Sequence, residues 1–431
     1  MGKYCGLGTY NKNTKYLLFY MISRFLYESM AGLKYGTLYY PIRLYDKQKV
    51  IKSHKLVIDT FGYFGILLLS FIIIKLEPEN KKISINIQNI SKKSISHKKS
   101  FRIRLIYDEK GTFKNNKIRT IFVAFTWVLH IQLVKLYYQS NFGYLDYWAL
   151  EMVITYYISK KVFKIEIYSH QKFSIFFITI FCSFLILCSF IITLVDEKDI
   201  IYKKYPIFIP IGIIIYLIIL SIRSYSNCKI KWLTDLKFIS TGKFLAIYGL
   251  VGAISCSIVT TITTLVDCGK NKLELCYQEK GGKTYYDSFT IFFDEYFRDS
   301  FKFYDIFLFA FQIIFNFFTS LFYVLTIKYL TPVYAVCLPS IHYFLLQILL
   351  LFNTIIQGKS EIITSQIVKV IIEISTDLFS VLGIFVYIEF IELKFCGLNY
   401  NSRKTIEKRS LEEMNLTRMV SEDEDDLEEK I

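Results

Sequence analysis

KYLTPVYAVCLPSIHYFLLQILLLFNTIIQGKSEIITSQIVKVIIEISTDLFSVLGIFVYIEFIELK, from Lys328 to Lys394, holds two apolar stretches of membrane length, residues 334–356 and about 367–390, parted by the polar turn at 357–360. About 20 apolar residues cross the hydrocarbon core of a bilayer, so the stretch predicts two antiparallel spans. Pro332 and Pro339 near the start of the first remove backbone donors, an opening that membrane helices tolerate where it lines a cavity. The second carries Lys369, Glu373 and Asp377 at four-residue spacing, which places them on one helical face. A charge at a bilayer centre costs about 2.5–3.5 kcal/mol on insertion scales. This stripe is therefore expected to face a protein interior or a wet path.

The rest of the chain agrees with that setting. Of its 431 residues, 53% are hydrophobic and 18% aromatic, with mean hydropathy +0.36, which points to an all-α integral membrane protein. The net charge of +15 resides in blocks beside apolar spans, as the positive-inside rule expects. No basic stretch is interleaved with stacking aromatics on a soluble module, so nucleic acid is not an expected partner. The nine cysteines show no zinc spacing, and Cys182, Cys188, Cys256 and Cys337 lie in apolar spans, where a thiol behaves as a small hydrophobe. No metal or cofactor is expected.

In chain order, residues 1–15 lack a cleavage site after an apolar core, so no cleaved signal peptide is expected. Residues 16–35 form the weakest candidate span: they contain Arg24, Glu28 and Lys34, and suit either a first crossing or an interfacial helix. Clear spans follow at 56–76, 121–138, 144–159, 173–195, 207–222, 244–266 and 303–327, before the opening pair. Counting the first gives ten. The basic blocks at 77–119 and 223–243 are expected in the cytosol. In residues 267–302 seven acids nearly balance six bases, so that loop is expected on the other face. Its Cys268 and Cys276 would meet an oxidising compartment there, which allows a bridge or two free thiols. Its later part, from Tyr286, alternates acids with aromatics and suits a helix resting on the membrane. One block conflicts: residues 43–55 are basic, yet ten crossings put them outside. The organisation expected is an N-terminal segment (1–55), a repeat and the start of a second (56–266), the non-cytosolic loop (267–302), C-terminal spans (303–394) and a disordered cytosolic tail (395–431), basic and then acidic.

Residues from Lys135 onward, KLYYQSNFGYLDYWALEMVITYYISKK, set beneath those from Ile327 onward, share a helix end, a tight turn, an aromatic-rich span with one ionisable group, a polar break and a long apolar span. Glu151 then falls opposite His342. Five spans separate the copies, so the second is inverted, and inverted repeats place a substrate site at their interface near the midplane. Ten spans as two inverted five-helix repeats, with YLTPVYAVCLPSIHYFL leading to a polar break and a final long helix, resemble the drug/metabolite transporter superfamily. The cysteine-bearing loop before the eighth span resembles its chloroquine-resistance-transporter branch, whose equivalent loop is long and disulfide-bonded. The likeness covers about residues 121–395 and departs at Gly358-Lys359-Ser360-Glu361, where the family often has Gly and Glu adjacent, and in the missing Gly-rich first helix.

The function expected is a secondary transporter that moves a small solute by alternating access across an endomembrane or the plasma membrane. No GxxxxGK[ST] stretch is present to bind a nucleotide. His130, Glu151, His342, Lys369, Glu373 and Asp377 are the candidate pathway residues, with a burial-tuned carboxyl loading a proton. The lipid bilayer and an unspecified small molecule are the expected partners, and self-association stays open. The alternative is a non-transporting membrane assembly protein held together by the same stripe. A lipid-modifying enzyme would need a His and carboxylate cluster at the surface; His54, His97 and His170 stand singly, so no enzymatic activity is expected.

Overall fold

The computed structural model describes residues 15–27, 55–76, 109–139, 148–163, 168–195, 208–237, 239–266, 278–280, 283–294, 303–337 and 364–391, with isolated positions 341, 344, 345, 348, 393, 398 and 405. They form α1 (15–27), α2 (Lys55–Leu76), α3 (Glu109–Gln139), α4 (Trp148–Phe163), α5 (Ser169–Val195), α6 (Phe208–Lys231) continued by a π turn (Trp232–Leu236), α7 (Thr241–Leu265), a hairpin of β1 (Gln278–Lys280) and β2 (Lys283–Tyr285), the short α8 (Phe289–Phe293), α9 (Phe303–Tyr329), α10 (332–337) and α11 (Thr364–Tyr387). Among the described residues six helices are long and apolar enough to cross a bilayer: Leu56–Leu76, Asn116–Tyr137, Ser169–Cys188, Pro210–Asp235, Thr241–Leu265 and Ile306–Tyr329. Large apolar side chains such as Leu68, Phe122, Phe176, Ile214, Ile258 and Phe307 point outward on these helices. In water such a surface would aggregate; against lipid tails it costs nothing. The chain is thus a multi-pass helical protein.

Small residues set the closest contact. Gly249 and Gly252 on α7 lie against Leu67 and Tyr63 of α2, and Gly242 lies against Ile73 and Ile74. At the other end of the pair Thr60 meets Thr260 at 3.4 Å, so α2 and α7 are antiparallel. With lipid as apolar as the helix surface, association depends on such close backbone approach. The hydroxyls of Thr261 and Thr264 bond carbonyls one turn back, at Ser257 and Thr260. They satisfy their own helix, and the polar face of α7 is largely a packing device.

Other contacts give the remaining polarities. Thr126–Ser226 and Tyr137–Tyr216 make α3 and α6 antiparallel. Thr155–Ser224 and Ser159–Cys228 make α4 and α6 parallel. Trp127 stacks on Phe244 and Tyr248 while Gln132 reaches Cys256, so α3 and α7 are parallel. Phe61–Phe309 and Gly65–Ile313 make α2 and α9 parallel. Ser174 donates to the Gly383 carbonyl and Phe181 stacks on Phe379, so α5 and α11 are antiparallel. The weakest predicted span, α1, steps along α9 in the opposite sense through Tyr16–Tyr329, Phe19–Phe322 and Tyr20–Tyr323. Its Tyr20 and Ser23 are buried, which places it in the bundle along its described length.

The two ends of the bundle differ in charge. At the end where α2, α4, α6 and α9 finish, Lys75, Arg119, Lys160, Lys161, Lys237 and Lys243 gather, whereas the acids described there are Glu109, Asp235 and Glu389. At the opposite end lie the hairpin and α8. Asp287 reaches from that loop to the start of α2, where its carboxylate accepts from the Leu56 and Val57 N–H groups at 2.7 and 3.1 Å. It is a cap supplied from more than two hundred residues away, satisfying donors that no intrahelical carbonyl can reach. Lys55, the last residue of the conflicting basic block, therefore starts α2 at the end where Asp287 sits. Asp287→Ala is expected to lower stability by about 1–2 kcal/mol, read by thermal unfolding in detergent together with faster amide exchange at Leu56 and Val57. An unchanged exchange rate there would remove the cap from the account.

Three expectations need correcting. The basic block at 223–243 is not one loop: α6 runs on to Lys231 and the π turn to Leu236. Likewise α3 starts at Glu109, inside the basic block at 77–119. Within the segment from Tyr286, helix is confined among the described residues to α8 and Asp294, and one of its faces packs on the bundle: Ile291 and Phe292 are buried while Phe293 is exposed, and Phe292 packs on Phe61 and Phe309. Aromatic surface removed from water or headgroups into a protein contact is worth more there than half-wetted at an interface.

Candidate polar centre of the bundle

Arg223 sits at the middle of the 26-residue span Pro210–Asp235, where an unpaired guanidinium would be at its most costly. It is paired. Its Nε lies 2.8 Å from Oε1 of Glu151 on α4, and the Glu151 side chain has no solvent exposure. The N–H does not aim squarely at the carboxylate, and neither Glu151 oxygen has an aligned hydrogen-bond donor. Around this pair are His130 of α3, buried with neither ring nitrogen hydrogen-bonded, and the phenols of Tyr323 on α9 and Tyr20 on α1. Five helices thus converge on one ion pair.

A second polar group meets α3 farther along the helix. Lys135 pairs with Asp59 of α2, and Gln132 donates to the same carboxylate at 2.9 Å. Tyr27 of α1 and Gln312 of α9 meet beside them. Lys135 is five residues beyond His130, about 7.5 Å along the helix at 1.5 Å per residue. The two pairs therefore lie at different heights of the bundle, one central and one nearer the hairpin end.

Of the residues expected to line a pathway, His130 and Glu151 are brought together through Arg223. Asp377 stands elsewhere, at the seam of α5 and α11 beside Cys182. Lys369 and Glu373 lie on α11, with their side chains outside the described residues. His342, Cys268 and Cys276 lie outside them too, as does the tail at 395–431 apart from isolated positions. Sequence reading missed Arg223, Asp59 and Lys135. The signal for Asp59 was present, a lone carboxylate three residues into an apolar span; for Arg223 it was the small and apolar spacing of SIRSYSNCKIKWL, in which Ser224, Ser226 and Asn227 are all buried.

An open groove of about 480 Å³ between α3 and α6, lined by Phe122, Ile214, Ile218 and Tyr225 among others, faces outward and is apolar. Its chemistry is that of a lipid-contact surface.

Fold and centre together define a multi-pass α-helical membrane protein with charge pairs buried between its helices. No family model matches the chain, and no curated protein is similar to it.

Proposed function

We propose that the chain is a secondary transporter with ten crossings arranged as two inverted halves, α1–α5 and α6–α11 without the short α8, working by alternating access around the Glu151–Arg223 pair. The observation that carries this is the symmetry of the helix contacts. Advancing each crossing by five positions exchanges the antiparallel α3/α6 contact with α9/α1, and the parallel α3/α7 contact with α2/α9. The pairs that would map onto themselves, α2/α7 and α5/α11, are both antiparallel, as a two-fold axis in the membrane plane requires. In inverted-repeat carriers the site lies at the interface of the halves near the midplane, which is the height of Arg223 in its span. The basic end would face the cytosol, and the membrane would be an endomembrane or the plasma membrane.

An ion pair in a membrane core is costly to maintain for packing alone, because apolar residues would hold the same helices without desolvating two charges. A substrate or proton that competes for Glu151 would release Arg223 and loosen the contact between α4 and α6. A non-transporting assembly protein is the second reading, favoured by the complete burial of Glu151.

The test is flux into proteoliposomes over a panel of radiolabelled amino acids, short peptides, polyamines and organic acids, with Glu151→Gln and Glu373→Gln. Uptake of at least one solute, reduced tenfold or more by Glu151→Gln in a folded variant, is the expected result. A folded wild-type protein that moves none of them, with and without a pH gradient, favours the assembly reading.

A further inference from the structure

At the basic end, Trp232 opens the π turn that finishes α6, and three cations surround its indole. The Lys237 ammonium is 5.1 Å from the ring centroid, that of Lys229 5.6 Å, and the Arg119 guanidinium, reaching across from α3, 5.6 Å. No two of these charges can be farther apart than twice 5.6 Å, an upper bound well inside the Debye length of about 30 Å at 0.01 M salt though beyond the roughly 8 Å of physiological salt, so like charges held around one ring repel one another, most strongly at low salt. The indole face offsets only part of that. Among the described residues no carboxylate pairs with any of the three: the nearby Asp235 is engaged by Lys231 at 3.0 Å. Arg119 is exposed, and Lys229, Lys237 and Trp232 are half-buried. The spans that carry them begin at Asn116 and end at Asp235, so the cluster sits at the membrane boundary, where Trp concentrates and headgroups lie.

The geometry points to a binding site for the headgroup of an anionic phospholipid, its phosphate held between Arg119, Lys229 and Lys237 and its acyl chains running down the bundle. The missing counter-charge, the interfacial height and the tryptophan all select an anion that is itself anchored at that depth. A guanidinium offers two parallel donors to a phosphate, and the two ammonium groups add point charges. The lipid relieves the mutual repulsion and thereby joins α3 to the end of α6. This inference does not rest on the transporter reading.

The experiment measures the dissociation constant of a fluorescent short-chain phosphatidylserine for the full-length protein in detergent, with unlabelled phosphatidylserine, phosphatidylcholine and inorganic phosphate as competitors. Each basic residue near an anionic lipid contributes about fivefold in affinity, so R119Q/K229Q/K237Q should weaken binding by roughly a hundredfold. A charge-matched control on the same end, K75Q/K160Q/K161Q, should leave it within about twofold. If the triple variant does not fold, K237Q alone should still show the fivefold loss. Equal losses in cluster and control variants would mean diffuse attraction and overturn the site. Displacement by inorganic phosphate as effective as by phosphatidylserine would reassign it to a soluble phosphate. Unaltered lipid affinity in the triple variant would equally overturn the proposal.

Discussion

Arg223→Met is expected to destabilise the folded protein by about 3–5 kcal/mol, the range for removing one partner of a buried ion pair. The loss arises from what remains: Glu151, without solvent exposure, would keep a charge with no counter-charge in a low-dielectric bundle. A surface pair would cost at most about 1 kcal/mol, and a neutral hydrogen bond between membrane helices averages about 0.6 kcal/mol, so the size of the effect identifies its cause. The double variant Arg223→Met with Glu151→Leu removes both charges and should recover most of the loss, since well-packed apolar replacements of buried pairs are often neutral or stabilising. Thermal unfolding of the four proteins of this cycle, in one detergent, measures the coupling. A single-variant loss below about 1 kcal/mol would mean that water reaches the pair, and the centre would have to be redrawn as an open vestibule. The cycle also bears on function: a double variant that is stable but inert in flux separates a working charge pair from a structural one.

The second large effect is expected at Gly249. A Cβ there would stand 2.6 Å from the backbone nitrogen of Leu67 and 2.9 Å from the Tyr63 carbonyl oxygen. Neither can rotate away, so Gly249→Ala must push α2 and α7 apart along their whole contact, costing about 1–3 kcal/mol and toward the upper end; Gly249→Leu should prevent assembly. Gly383 gives the comparison. Its nearest contact, at 2.6 Å, is Cγ1 of Ile178, a side-chain atom rather than backbone, so the contact can give by local repacking and Gly383→Ala should cost less than Gly249→Ala. The measurement is the midpoint of thermal unfolding together with the fraction recovered as a monodisperse peak from detergent. Equal losses at the two glycines would show that the α2/α7 contact is looser than its distances imply.

Both expectations turn on features with unequal traces in the sequence. The glycines of α7 and the hydroxyls that follow them are visible as a small-residue pattern, and the pattern carries its physical meaning directly. Glu151 and His130 stand out because an ionisable group inside an apolar span is rare and expensive. Arg223 does not stand out. The apolar run of α6 stops at Ile222, and of the nine residues that follow through Lys231 only Ile230 is a large aliphatic, so a hydropathy reading ends the span just before Arg223 and nine residues before the helix ends. What carries the helix onward is a set of partners supplied by other helices: Thr155 for Ser224, Thr126 for Ser226, Ser159 for Cys228 and Glu151 for Arg223. Asp287 is a similar case, an acid in a mixed loop whose role as a cap is invisible until α2 is beside it.

The sequence by itself determined that the chain lives in a membrane, where most of its crossings lie and which end carries the positive charge, because these follow from local hydropathy and from charge placed beside it. Only the tertiary structure decided which charges are paired, where α6 ends and which helices touch, because a polar group is admitted to a bilayer on the strength of its neighbours, and those neighbours lie tens to hundreds of residues away along the chain.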